Sequence, residues 1–432
     1  MIDGRAEVHG MFMHDLARRL FPICRSLTGD GVRQTISILG EYLADLKVRE
    51  IKSGTQVFDW SVPDEWNIRG GYLVGPDGAR VVDFNDSNLH IVGYSEPIDK
   101  ILTLSELQPH LHSIPEMPDA VPYVTSYYNR SWGFCLTHNR RKSLVDGEYR
   151  AVIDSTLAPG SLTYAELVIP GESKQEVFIS TYVCHPSMAN NELSGPVVST
   201  SLAMWLSNQE RLRYTYRFVF VPETIGSIVY IYNNFDHLKE HVIAGYNVSC
   251  VGDDRAYSYL PSRLGNTLSD RIAKHVLKHI DANYRTHSFL ERGSDERQYC
   301  SVGVDLPIAS VMRSKYGTYP EYHTSKDDLD TVVTPGGLEG GFRALQTCIK
   351  AIEVNRNYHC TQYCEPQMGK RGLYSALGTR NMTYAVKMRM DILCYCDGEH
   401  SLLDIAELIG CPIEDLLPFV KELEANFLIE PS

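Results

Sequence analysis

The chain has 432 residues, 43% of them hydrophobic and 22% charged, with a formal net charge of −13. That length predicts two or three domains, and the acidic balance opposes broad contact with nucleic-acid phosphates. No apolar run reaches the roughly 18 residues of a membrane span, and MIDGRAEVHGMFMHDLARRL lacks the basic start and long apolar core of a signal peptide. A cytoplasmic protein without nucleic-acid or membrane partners is expected. The eleven cysteines are scattered and odd in number, which suits reduced, core-filling thiols. Cys360 with Cys364, and Cys394 with Cys396, lack the CxxC spacing of a zinc ribbon or redox motif.

Residues 11–47 carry apolar positions at helical spacing, among them Met11, Leu16, Leu20, Ile36, Leu39 and Leu43. They predict two helices divided by the loop SLTGDG. From about 56 to 155 the chain turns to short aromatic and β-branched segments between Pro, Gly, Asn and Asp, a strand-rich module. From about 160 to 355 strands alternate with helices, as in EVFISTYVC, GPVVSTSLAMWLSN and YRFVFVP, which predicts βαβ units and a mostly parallel sheet. The last segment reads as three helical stretches, beginning at MTYAVKMRMDILCYC, and a short final strand, a winged-helix pattern. Its last helix carries Glu414, Asp415, Glu422 and Glu424, which would repel phosphates.

Ligands of such α/β sheets bind beyond the carboxyl ends of the strands. Four loops fall there: CHPSMANNELSG with His185, VPETIGS with Glu223, SCVGDDRAYSY with Asp253, and EYHTSKDD with His323. Two histidines and several carboxylates on successive strand ends suit a zinc ion with an open position and a free Glu as proton acceptor. Each has a plainer reading. His185-Pro186 is also a strand stop, Asn190-Asn191 an Asx turn, Ser194-Gly195 a helix cap and Asp253 a loop cap. Ser194 lacks the GxSxG elbow of a nucleophile. HVLKH, with His275 and His279, is not HExxH and reads as an exposed helix face.

The order of these loops resembles the zinc aminopeptidase family that also contains glutaminyl cyclases. The matching residues are His185, the run 189–195 ending Leu193-Ser194-Gly195, Glu223-Thr224-Ile225-Gly226, Ser294-Asp295, and Tyr322-His323-Thr324 with Asp327. The phrases CRSLTGDGVR, WGFCL and YHTSKDDLD are similar to a narrower bacterial group of aminopeptidase-like proteins from polysaccharide or secondary-metabolite loci, with an inserted β domain and a C-terminal winged helix. The resemblance implies an α/β zinc-aminopeptidase-like core over 1–55 and 156–358, an insertion over 56–155 and a winged-helix-like domain over 366–432. It implies His185 and His323 as metal ligands, Asp253 as the third, and Glu223 as the base, or as a ligand in its own right. Asn191 stands where the family has a bridging Asp, Thr224 where it has a ligand Glu, and Ser249 where it has an Asp. One zinc ion rather than two is therefore expected, since a neutral amide cannot offset two adjacent dications.

Substrate contacts are expected from Asn191, Arg25, Tyr127, Tyr128 and Trp132. The function this implies is metal-dependent hydrolysis of a peptide or amide bond in a small substrate. The rival reading is a degenerate, non-catalytic aminopeptidase-like binding protein whose C-terminal domain contacts a partner. A homo-oligomer is compatible with the acidic helical tail.

Overall fold

The structure, a computed structural model, describes residues 6–373 and 384–432. The chain forms two compact units, Met1–Asp270 with Tyr284–Arg343, and Arg271–Asn283 with Ala344–Ser432. Residues 382–383 of the predicted first tail helix lie outside the described residues.

The first unit is built on an eight-stranded sheet. Its spatial order is Lys47–Lys52, Ser161–Ile169, Thr215–Val221, Glu176–Tyr182, Val242–Asn247, Ile308–Met312, Ser258–Leu260 and Arg285–Thr286. The four central strands, Thr215–Val221 to Ile308–Met312, are parallel, as the alternating pattern predicts. Antiparallel pairings flank them, which makes the whole sheet mixed. All seven residues of Glu176–Tyr182 are buried, because helices cover both faces of a parallel centre. Phe178, Tyr182, Tyr216, Phe218, Phe220 and Tyr246 fill the space between sheet and helices. The first helix, Ala6–Leu20, turns Met13, Leu16, Ala17 and Leu20 inward at helical spacing.

The expected insertion is a second sheet, Arg80–Asp83, Glu65–Val74, Glu148–Ala158 and Ile98–Thr103, with its own core around Leu73, Phe134, Tyr149 and Ile153. It does not separate from the first unit. The strand Glu148–Ala158 runs unbroken through the expected boundary at 155.

The second unit differs from the expected 366–432 domain in two ways. A strand at Asn357–Cys360 sits between Asp397–Ser401 and Ile429–Pro431, so the wing begins earlier. Four residues were too few to carry a periodic signal. The helix Leu268–Ile280 also belongs to this unit from Arg271 onward. Arg271 pairs with Asp404, and Lys278 with Glu407 at 2.6 Å. His275 is 2% exposed, which corrects the exposed reading of HVLKH; His279 alone faces outward. The His275 ring accepts the Ile413 N–H at Nε2 (3.0 Å) and bonds Glu407 through Nδ1.

This arrangement requires a neutral imidazole. Burial lowers the proton affinity of His275 more than Glu407 raises it. Its folded-state value thus lies below the ordinary value of about 6.5. The stability it contributes is fully present above about pH 6.5 and is lost as the pH falls, because a second proton at Nε2 would face the Ile413 N–H. Hydrogen exchange in the helix Ile413–Ala425, corrected for intrinsic rate, is expected to lose protection between about pH 7.5 and about pH 5.5. His275→Gln is expected to flatten that dependence.

Candidate metal centre

The parallel strands deliver the chemistry at their carboxyl ends. His185 follows Glu176–Tyr182, Glu223 follows Thr215–Val221, and the loop carrying His323 follows Ile308–Met312. After His185 the chain makes a π-helical turn, Ala189–Leu193, and enters the helix Ser194–Ser207. Gly195 permits this approach, since a Cβ there would strike Thr181 Oγ1 and the Val248 carbonyl. The buried Asp327 carboxylate fixes the turn by accepting the N–H groups of Asn190 (2.7 Å) and Asn191 (2.9 Å) and the Tyr319 hydroxyl (3.0 Å). Burial lifts this carboxyl to about 6, against the pull of those two N–H groups.

His185 and His323 come together, with ring centroids 5.6 Å apart. Tyr123 lies edge-on to both, 5.2 Å from each. It comes from the inserted module, whose segment 121–123 pairs with the histidine loop: the Tyr123 N–H donates to the His323 carbonyl at 2.9 Å, and Ser325 N–H to Val121. His185 Nδ1 bonds Glu192 at 2.9 Å, which leaves Nε2 facing Glu223 Oε2 at 3.7 Å. Burial disfavours the charged ring, but Glu192 outweighs it and raises the His185 proton affinity. His323 shows the opposite shift: burial first, then neighbouring His185, pushes it down to about 3, so its ring is neutral. His323 sits at φ 56°, a left-handed conformation unusual for a non-glycine residue. Its Nε2 is buried without a hydrogen-bond partner among the described residues.

These features fit a metal ion. The neutral His323 ring is a ready donor whose unsatisfied buried nitrogen calls for a partner, and His185 becomes a second donor when a cation displaces its Nε2 proton. Two donors of a tetrahedral zinc stand roughly 3.3–3.5 Å apart, close to the separation of His185 Nε2 and Glu223. Cys184, His185 Nδ1 and Glu192 also cluster, but they form the back of the site. The Arg25 guanidinium stands 3.4 Å from Glu192 and would repel a cation there. Burial also holds the Cys184 thiol well above its usual range, and so protonated. Glu192 instead sets the tautomer and aim of His185, as carboxylates behind metal-ligating histidines do.

Other expected residues lie elsewhere. The Asp253 carboxylate accepts from Asn190 Nδ2 (3.1 Å), Ser314 N (2.8 Å), Ser314 Oγ (2.9 Å) and Arg255 N (2.8 Å). With four donors on its oxygens, this carboxylate ties together the loops around it. Arg25 is completely buried behind Glu192, so it cannot touch a substrate. Trp132 stacks on His110 at 3.6 Å inside the inserted sheet's core, another correction. Tyr127 bonds the Tyr123 hydroxyl at 2.7 Å, and half-exposed Tyr128 packs edge-on to Trp60. Asn191 turns its Oδ1 to the Tyr182 hydroxyl at 3.2 Å and leaves its buried Nδ2 unpaired among the described residues.

The roles of three residues escaped the sequence reading, though two of them, Glu192 and Asp295, lie in motifs named there. Glu192 adjoined Asn191 in a quoted motif, but only the fold reveals its hold on His185. Tyr123 had no local signal, because its role depends on packing between distant segments. Asp295 accepts the Thr224 N–H (2.7 Å) and the Ser227 hydroxyl (2.8 Å) and leaves its second oxygen buried and unpaired among the described residues. Burial and repulsion from Glu223 push the Asp295 carboxyl far above its usual range, and burial raises Glu223 as well.

Comparison with known proteins agrees with this architecture. Residues 14–355 match a family model described as a domain of unknown function, DUF4910, and residues 356–431 match a winged helix-turn-helix. A Clostridium acetobutylicum protein, provisionally named a polysaccharide biosynthesis protein with an aminopeptidase-like domain, is 45% identical over 95% of this chain and 93% of its own length. A crystal structure from the same organism, provisionally called a peptidase, superposes with a TM-score of 0.93 at 41% identity, covering 99% of this chain and 98% of that one. The zinc aminopeptidase of Bacillus subtilis shares the fold at 13% identity, with a TM-score of 0.58 over 82% of this chain and 96% of that one. The aminopeptidase-like architecture and the winged-helix tail are thus shared with known proteins, and the chain belongs to the DUF4910 family, here followed by a winged helix.

Proposed function

We propose that the protein is a metal-dependent hydrolase of an amide or peptide bond, with one zinc ion held by His185 and His323. The observation that carries this reading is the pair of facing imidazoles beside Glu223, one with its ring nitrogen buried and unpartnered. Bound zinc supplies a Lewis acid for a carbonyl and makes a water more acidic. Glu192 holds His185 in the tautomer that exposes Nε2. Tyr123 walls the two rings. Glu223, whose proton affinity is raised by burial, takes a proton from the attacking water and returns it to the leaving nitrogen. The relative's name ties that protein to polysaccharide biosynthesis, so amides of glycan precursors join peptides as substrates to try.

A second reading makes Glu223 the third ligand; the 3.7 Å gap to His185 Nε2 favours it. Both readings predict metal. Full-length protein stripped with chelator and reconstituted is expected to retain about one zinc per chain after desalting, and His323→Ala to retain none. Failure of the wild type to hold metal would remove the hydrolase reading and leave the non-catalytic binding protein.

A further inference from the structure

We infer that Arg297 is an anchor for a substrate carboxylate, so that the amide cleaved here carries an acidic group next to the scissile bond. Arg297 lies on the short turn Glu296–Tyr299 and donates from Nη2 to Thr224 Oγ1 at 2.5 Å. Its Nε is buried and has no partner, and no carboxylate pairs with it among the described residues. The Nε–Nη2 edge of a guanidinium is the edge that grips a carboxylate with two parallel bonds. A buried N–H left unmade is costly, so its presence in a native site calls for a ligand.

Arg297 is also beside the chemistry. Its charge acts on Glu223, Asp295 and Tyr322, and the Tyr322 ring stacks on His323 at 3.9 Å. Thr224, which holds the guanidinium, sits at φ 66° and ψ −78°. That is a strained conformation for a β-branched residue, and such strain concentrates at functional sites. A purely structural arginine would pair directly with Glu223 or Asp295. This one spends an Nη2 proton on a hydroxyl and keeps its buried Nε unpaired among the described residues.

The inference deepens the hydrolase reading by naming its substrate class, but the anchor can be tested without metal. The probes are N-acetylglycine and its neutral counterpart N-acetylglycinamide, titrated calorimetrically into full-length protein, both zinc-loaded and chelator-stripped. The stripped arm matters because zinc would itself attract a carboxylate. Wild type is expected to favour the acid by roughly tenfold or more in both arms. Arg297→Gln is expected to erase that preference in stripped protein without changing zinc content, and Arg297→Lys, which keeps charge but not the fork, to retain part of it. Equal binding of the two probes, binding of neither, or a preference that survives Arg297→Gln in stripped protein would overturn the anchor. A protein that holds no zinc yet shows the Arg297-dependent preference would sink the hydrolase reading alone.

Discussion

Glu223→Gln is expected to lower hydrolysis of any amide the wild type cleaves by about 10²–10⁴-fold, with zinc content unchanged. The substitution keeps the shape of the side chain and removes its ability to accept a proton. The backbone has independent support, since the Glu223 N–H donates to Cys184 Sγ at 3.2 Å. The side chain is one-fifth exposed, enough to meet a substrate, while its surroundings raise its hold on a proton. Burial is the main cause, and the negative charge of Glu296 adds to it against the pull of His185 and Arg297. Zinc content and turnover measured on the same preparation separate the possible roles. Loss of zinc together with turnover makes Glu223 a ligand. Unchanged turnover removes it from the reaction.

The parts of this molecule legible in the sequence were those written in local pattern. Alternating strands and helices announced the parallel centre; His185 and Glu223 could be placed at strand ends because the apolar runs stop just before them, and His323 in the loop after Ile308–Met312. The hydrogen bonding of Asp253 was not legible, for a physical reason. The residue occupies the right kind of loop, but Asn190, Ser314 and Arg255 consume its lone pairs, and hydrogen-bond partners drawn from three segments leave no trace in spacing. Arg25 and Trp132 misled. A polar or aromatic residue near a motif suggests a binding wall, yet burial turned one into a counter-ion and the other into core. Arg297 acts through a partner 73 residues away, and Glu192 through partners 167 and 7 residues away, contacts that only the folded chain creates.

Arg25→Met is expected to destabilise the fold by about 3–5 kcal/mol, read from equilibrium urea unfolding. Arg25 and Glu192 are both fully buried. Burial lowers the arginine's proton affinity and Glu192 opposes that shift, so the two charges depend on each other. Arg25 also donates to the carbonyls of His185 (2.8 Å) and Leu20 (2.8 Å), tying the first helix to the start of the His185 loop. Removing it strands a carboxylate inside the protein, whose remaining neighbour is the His185 ring. The double change Arg25→Met with Glu192→Gln is expected to recover part of the loss, because no unpaired charge then remains buried. Glu192→Gln alone should weaken zinc binding by about 10–100-fold, since a neutral amide holds His185 less firmly. Additive losses in the double variant would show that the pair is not coupled. Stability recovered while zinc affinity stays low would separate the two tasks of Glu192, which balances a buried arginine on one side and aims a histidine on the other.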